Sequence, residues 1–423
     1  MLDLKFILEN RKLIEENCRA RNMQCDLDSL SVLAANKSRL QSEVESLRAD
    51  TNRLADDIKY GHLDPKSDEG RVAIAKNKES KEFLKEKEAL FEKEDVKLRE
   101  LLGTIPNITH PHAPKGGEEV NRVISEHGIH PAYDFPLRSH EELVSLLDLA
   151  DFEGAARTTG AKFYFLKNEA VLLELALVHY ALEFLMARGF TPFSTPDLAR
   201  LDIIEGLGYN PRGNESQIYS IAGSDLGLIA TAEITLGGLY KDAILKEDTL
   251  PLRLAGLSHC FRTEAGAYGK TSKGLYRVHQ FTKVEMFIFS TPEDSETLHQ
   301  ELLQNEIDLF ESLGLPFRVI ENATGDLGAA AYRKYDLEAY LPKEGIWGEI
   351  TSTSNCTDYQ ARRLNIRVKR KDGKNELLHT LNGTAIAVTR IILSLLENFQ
   401  NSDGSVSIPP ALHPYLPFTR IEP

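Results

Sequence analysis

The sequence predicts an α+β protein in two parts, a long antiparallel helical hairpin at the N-terminus followed by a larger domain of mixed strands and helices. Three observations carry that expectation. Between about Asp28 and Leu102 apolar residues recur at spacings of three, four and seven, the seam of a coiled coil. A stretch with Pro106, Pro111 and Pro114 then excludes both helix and central strand. Beyond it, strands alternate with helices without regular βαβ spacing, and no G-x-x-x-x-G-K-[ST] loop or G-x-G-x-x-G turn is present. A doubly wound nucleotide fold is therefore not expected, and any phosphate would be held by arginines.

Taken in order, residues from about Leu4 to Asn22 read as one amphipathic helix. A longer run follows, with Leu33, Leu40, Val44, Leu47, Leu54 and Ile58 on the seam. Gly61-His62-Leu63-Asp64-Pro65 breaks it, and a second run from about Glu69 carries Leu84, Phe91 and Leu98 at sevenfold spacing. The resulting domain plan is a helical arm over residues 1–104, a Pro-rich linker over 105–118 and a catalytic-type domain over 119–423. In that domain a helical patch runs from His140 to about Asp151. A short strand follows at Phe163–Leu166, then an apolar helix from about Glu169 to Arg188 that Gly189 caps. His110 and His112 lack a nearby Cys or carboxylate, which argues against a metal site there. Lys371-Asp372-Gly373-Lys374, inside a basic run, reads as a hairpin turn with solvated lysines.

The chain has 423 residues, 42% hydrophobic and 27% charged, which suits a soluble protein of two domains. No apolar run approaches the ~20 residues of a membrane span. The helical pattern begins at once after Met1, with no secretory or transit pattern, so a cytoplasmic address is expected. Four cysteines, Cys18, Cys25, Cys260 and Cys356, have neither disulfide nor zinc spacing. A formal net charge of -14 excludes a general nucleic-acid coat, so DNA is not an expected partner and any RNA contact must be local.

Chemistry concentrates between Ser258 and Phe289. Period-two alternation around Cys260–Glu264 and around Val278–Glu285 predicts two antiparallel strands, with a loop rich in Gly, Ser, Thr and Lys between them. Such a hairpin would aim Arg262, Glu264, Arg277 and Glu285 into one cleft, pairing cations for phosphate with carboxylates for amine or hydroxyl groups.

Phe261-Arg262-Thr263-Glu264, with Arg277-Val278-His279-Gln280-Phe281 and Lys283-Val284-Glu285 after the loop, resembles motif 2 of class II aminoacyl-tRNA synthetases in the form found in seryl-tRNA synthetases. Further blocks match in the same order. They are Thr231-Ala232-Glu233, Gly348-Glu349-Ile350 with Ser354-Asn355-Cys356, Gln360-Ala361-Arg362-Arg363, and Asn382-Gly383-Thr384 leading to Arg390 and Leu396-Glu397-Asn398. Gly189–Pro196 stands where that class has motif 1, at its dimer interface. Two departures stand out: the loop over residues 206–216, and Ala385 and Thr389 where glycines are usual in motif 3.

The resemblance implies a six- to seven-stranded, largely antiparallel sheet flanked by helices, and a homodimer. It implies ATP-dependent activation of L-serine and transfer to tRNA(Ser), and to a selenocysteine tRNA where one exists. Arg262, Glu285 and Arg390 would be catalytic. Thr231, Ala232, Glu233, Asn382 and Thr384, with Arg262 and Glu285, would bind serine. Thr263, Glu264, Arg277, Val278, Phe281, Glu349, Ile350, Thr351 and Ser352, with Arg262 and Arg390, would bind ATP, and Glu349 and Ser352 would hold Mg²⁺. Alanine would be refused for lacking a hydroxyl and threonine for its size. The arm would grip the long variable arm of the tRNA by shape and backbone contacts, guiding it to the partner subunit's site. Two other readings are a ligase loading an amino acid onto a carrier protein and a non-catalytic RNA-binding paralogue. The first has little use for the arm, and the second would be expected to lose some of Arg262, Glu285, Glu349 or Arg390.

Overall fold

The computed structural model describes residues 1–209, 217–265 and 274–423. They form two compact units, Met1–Pro106 and Asn107–Pro423.

In the first unit, α1 (Leu4–Glu9) and α2 (Arg11–Ala20) divide the stretch expected to be one helix. The break is at Asn10, which leaves helical geometry at φ -119° and ψ 35° while its backbone and side-chain amides both donate to the Phe6 carbonyl, at 3.0 and 2.9 Å. The hairpin is α3 (Leu27–Lys59) and α4 (Asp68–Thr104), capped by Asp26 and Ser67, whose side chains accept from the amides of Ser29 and Gly70, each at 2.9 Å. Leu40, Val44 and Leu98 are buried on the seam, and Leu33, Leu47, Leu54, Ile58, Leu84 and Phe91 are half-buried. Across the seam, Arg48 reaches Glu88 at 2.7 Å, Lys87 reaches Glu43 at 2.6 Å, and Lys37 pairs with the buried Asp95.

The second unit is built on one sheet of β1 (Arg122–His127), β2 (Thr191–Ser194), β3 (Leu252–Phe261), β4 (Gln280–Ser290), β5 (Phe317–Glu321), β6 (Arg333–Leu341), β7 (Ile346–Thr357) and β8 (His379–Ala387). Their spatial order is β1-β5-β6-β7-β8-β4-β3-β2. Every pairing is antiparallel except β2 with β3. The sheet therefore has eight strands rather than six or seven, because β1 adds itself at the edge beside β5. Helix α5 (His140–Leu146) is shorter than the expected patch, and the strand expected from Phe163 is confined to Phe165–Leu166. Helix α6 (Glu169–Met186) ends close to expectation, with Gly189 at φ +82° donating its amide to Met186 at 3.0 Å. His110 and His112 use a ring nitrogen internally, since His110 Nδ1 accepts the His112 amide at 3.1 Å. The 371–374 segment is a turn between two short strands, with Gly373 at φ +88°. Arg370 beside it is engaged with Glu247, Glu293 and Glu376.

Period two sorts the sheet into faces. On β4, Val284, Met286 and Ile288 are fully buried in the large core with α6, α8 (Ser295–Ser312) and α9 (Val388–Asn398). Phe281, Lys283, Glu285, Phe287 and Phe289 face the other way. The last two pack under α7 (Ala232–Gly238), leaving Phe281, Lys283 and Glu285 beside the open cleft. Helix α7 can lie that close because Gly256, paired with Glu285 in the β3–β4 register, has no side chain. A Cβ there would stand 2.8 Å from the Ala232 Cβ.

Candidate active site

The strands at the cleft are offset from expectation. β3 stops at Phe261 and β4 starts at Gln280, so Arg262–Glu264 and Arg277–His279 lie on irregular backbone just past the ladder. Two bonds continue the pairing there: the Arg262 amide donates to the His279 carbonyl at 2.9 Å, and His279 Nδ1 donates to the Arg262 carbonyl at 2.9 Å. Glu264 takes a left-handed φ of +51°, and its carboxylate meets Arg277 at 3.3 Å. The Arg262 guanidinium lies 5.2 Å from the Phe281 ring centroid.

Register shifts set which residues of β7 and β8 face the cleft, and the two at Ile350 and Ala385 act at predicted site positions. Glu349 pairs with Glu338 and Thr351 with Leu337, so Ile350 is the extra residue. It moves Glu349 onto the face shared by Ser352, Ser354 and Cys356, and the odd spacing between Glu349 and Ser352 becomes a shared face. The Ile350 side chain goes into the core and the Thr351 hydroxyl donates to Glu306 of α8 at 3.0 Å, while both residues still line the cationic cavity. On β8 the register shifts between Thr384 and Ile386, which buries Ala385 in the core and brings Ala387 to the cleft after Asn382 and Thr384. Thr389 is 2% exposed beside the same cavity. Small side chains thus fit both motif 3 positions where glycine is usual.

The cleft consists of two adjoining cavities that share Arg262, Lys283, Ser352 and Thr384. One is cationic: Arg262, Arg277 and Arg390 stand there with Glu264, Glu349, Val278 and Phe281. Arg390 is paired with Glu349 at 2.8 Å and lies 5.2 Å from the Tyr276 ring centroid. Burial works against charge on Glu349, but Arg390 and then Lys334 outweigh it and hold the carboxylate down to about 2. The other cavity, about 520 Å³, presents Glu233, Glu285, Asn382 and Thr384. A larger cavity of about 600 Å³ lies beyond Arg277 and contains no other residue of the predicted site.

Thr231 is the N-cap of α7, its hydroxyl accepting the Glu233 amide at 3.2 Å, and Ala232 is fully buried against β3. Glu233 is held by three donors, Gln360 at 2.7 Å, Asn382 at 3.0 Å and the Tyr209 hydroxyl at 2.9 Å. Burial first, and the neighbouring Glu285 second, push it up to about 7 against those hydrogen bonds. Tyr209, Gln360 and Lys283 are site residues that motif reading passed over. Gln360 and Lys283 stand inside recognised blocks, and Lys283 carries the clearer signal, being two positions from Glu285 on one strand. Tyr209 adjoins residues 210–216, the part of the departing loop that lies outside the described residues.

Residues 1–109 match the family model for the seryl-tRNA synthetase N-terminal domain, and residues 219–399 match the tRNA synthetase class II core domain (G, H, P, S and T). Over 424 residues the chain is 50% identical to the serine–tRNA ligase of Treponema denticola, covering 100% of both chains. The chain belongs to the seryl-tRNA synthetase family. It is also 52% identical over 417 residues to the serine–tRNA ligase of Rubrobacter xylanophilus, covering 98% of each. Its fold matches the seryl-tRNA synthetase of Pyrococcus horikoshii, solved in complex with ATP, with a TM-score of 0.88 at 39% identity and 100% coverage of both chains. The α+β fold class, with its helical arm and antiparallel-dominated sheet, is thus that of the family.

Proposed function

We propose that this synthetase activates L-serine with ATP and transfers the seryl group to tRNA(Ser). The observation that carries the reading is the junction of the two cavities, where Arg262 and Lys283 stand between a cationic compartment and one of carboxylate and hydroxyl acceptors. In the first step the serine carboxylate attacks the α-phosphorus of ATP and pyrophosphate leaves. In the second, a ribose hydroxyl of the tRNA attacks the acyl carbon and AMP leaves. Arg262 at the junction is placed to offset the repulsion between carboxylate and phosphate, and Arg277 and Arg390 serve the outer phosphates. Glu285 and Thr384 accept hydrogen bonds from the substrate. Glu233, held by three donors and still with acceptor capacity, lies in the wall of the same pocket and joins Glu285 and Thr384 in binding serine.

Glu349 and Ser352 fit Mg²⁺ as an ionised carboxylate and a hydroxyl on one face of β7. An ion with these two side-chain ligands would take the rest of its oxygen shell from substrate phosphates and water. Bound there, Mg²⁺ would neutralise phosphate charge.

The helical arm over residues 1–104 is the proposed tRNA grip, joined through 105–118 to the catalytic domain over 119–423. A homodimer is supported by the apolar face that α6 exposes, with Val171, Leu172 and Leu175, the last 61% exposed. No helix among the described residues is long and apolar enough to cross a membrane. The four cysteines form no disulfide, and a cytoplasmic setting is the reading that reduced thiols support.

The test is ATP–pyrophosphate exchange across a panel of amino acids. Serine should support exchange, and alanine, cysteine and threonine barely. Comparable exchange with alanine would overturn the assignment of the acceptor pocket.

A further inference from the structure

We propose that Lys283 is a positioning residue that fixes the hydrogen-bond polarity of the amino-acid pocket and thereby sets discrimination between serine and alanine. The inference rests on the reading of this site as a serine-activating centre. Lys283 is 4% exposed, where a lysine is seldom found without a partner. Its ammonium contacts the Glu285 carboxylate and donates to the Thr384 hydroxyl oxygen at 3.3 Å, while Thr384 donates to Glu285 Oε2 at 3.0 Å. The three groups close a ring.

The ring has only one sense. An ammonium has three donors and no lone pair, so Thr384 can only accept from it, and the single Thr384 proton goes to Glu285. One lone pair then remains on the Thr384 oxygen, and the Glu285 carboxylate is itself acceptor-only. Both residues line the roomy cavity, which therefore asks for donors. Serine offers its ammonium and a hydroxyl; alanine offers the ammonium alone and leaves a buried acceptor unpaired. Without the lysine no donor holds the Thr384 oxygen, and the hydroxyl can trade its bond to Glu285 for a donation into the cavity, which weakens the demand.

Other ionisable groups around Lys283 do not replace it. Glu233 from α7 and Glu306 from α8 are both pushed toward the neutral form, chiefly by burial, and Cys260 on β3 is pushed up as well. Arg262, the other cation at the junction, directs its Nε to the Ala230 carbonyl at 3.3 Å.

The experiment compares wild type, Lys283→Met and Lys283→Arg in pyrophosphate exchange, measuring KM for serine and for ATP, the serine-to-alanine ratio of kcat/KM, and the melting temperature. For Lys283→Met the ratio should fall at least about tenfold, through a raised KM for serine with KM for ATP unchanged. Lys283→Arg keeps the charge with a planar fork in place of a compact donor, and its ratio should lie between the two. A folded Lys283→Met with the wild-type ratio, or with both KM values raised together, would make Lys283 a structural ion pair and overturn the proposal. If Lys283→Met does not fold, a wild-type ratio in Lys283→Arg overturns it and a reduced one supports it. Wild type inert toward serine would overturn the serine-activating reading, and this inference with it.

Discussion

The two units hold themselves together over different distances in sequence. The arm is closed by pairs such as Arg48–Glu88, 40 positions apart across one turn, between helices that follow each other directly. The cleft is closed by Asn382–Glu233 at 149 positions and Gln360–Glu233 at 127, between elements that meet only when the sheet is complete. The arm is thus repetitive and locally specified, and no single contact in it is decisive. The cleft is non-local, and a few buried polar groups each have one permitted arrangement. If the arm is the proposed tRNA grip, the difference implies that recognition of a long substrate and chemistry on a small one should be separable.

Removing residues 27–104 should give the largest effect if that separation holds. Serine-dependent exchange should persist, while tRNA charging should fall by about a thousandfold, the low end of the gap between specific and non-specific nucleic-acid binding. Both assays on the full-length and shortened chains, with the dimer mass checked, decide it. Equal loss of both activities in a folded dimer would break the comparison.

Arg262→Ala should act on the other side of the divide, lowering exchange by about 10² to 10³ with little change in melting temperature. The side chain's own links, a 3.3 Å bond to the Ala230 carbonyl and a stack 5.2 Å from the Phe281 ring, contribute modestly to the fold. Loss of the folded state would make Arg262 structural instead.

A smaller and pH-dependent effect is expected at Glu233. Its carboxyl is raised from 4.5 to about 7, so between those values the native state keeps a proton that the unfolded chain releases. Stability therefore falls as pH rises through that window, by about 3 kcal/mol once it is passed. Glu233→Gln removes the titration, and the Tyr209 hydroxyl can accept from the new amide. The variant and wild type should melt together near pH 4.5, and the variant should be the more stable by pH 8. A melting difference that stays flat with pH would show that Glu233 is ionised at no cost.

The same contrast governs what was legible in the sequence. A heptad seam reports side chains on one face of one helix, so Leu40, Val44 and Leu98 could be placed in the interior from spacing alone. Period two placed Glu285 at the cleft, and it would have placed Lys283 had its partners been visible. The bulges at Ile350 and Ala385 were not legible, because an extra residue in one strand is defined only against its neighbour. Without them, alternation puts Glu349 and Ser352 on opposite faces. The first helix breaks at the single residue Asn10, a local change of backbone angle that an amphipathic pattern does not register. The motif blocks supplied what periodicity could not, because they carry the family's site as a set.

The smallest effect belongs to the arm's surface, and it tests whether the arm is as redundant as its geometry implies. Arg48 and Glu88 meet at 2.7 Å with side chains 59% and 39% exposed, so water screens the pair and both long side chains lose freedom in forming it. Their coupling should be below about 1 kcal/mol, measured by a double-mutant cycle of Arg48→Ala and Glu88→Ala with hydrogen exchange of the arm amides as the readout. In 1 M salt, where the screening length shrinks to about 3 Å, it should nearly vanish. Lys37 is the internal control. Its partner Asp95 is 2% exposed, so Lys37→Ala leaves a buried carboxylate with Arg99 at 2.5 Å as its remaining cation, and should cost more than the exposed pair and resist salt. An Arg48–Glu88 coupling above about 2 kcal/mol, or one indifferent to salt, would mean that the arm depends on individual contacts as the cleft does.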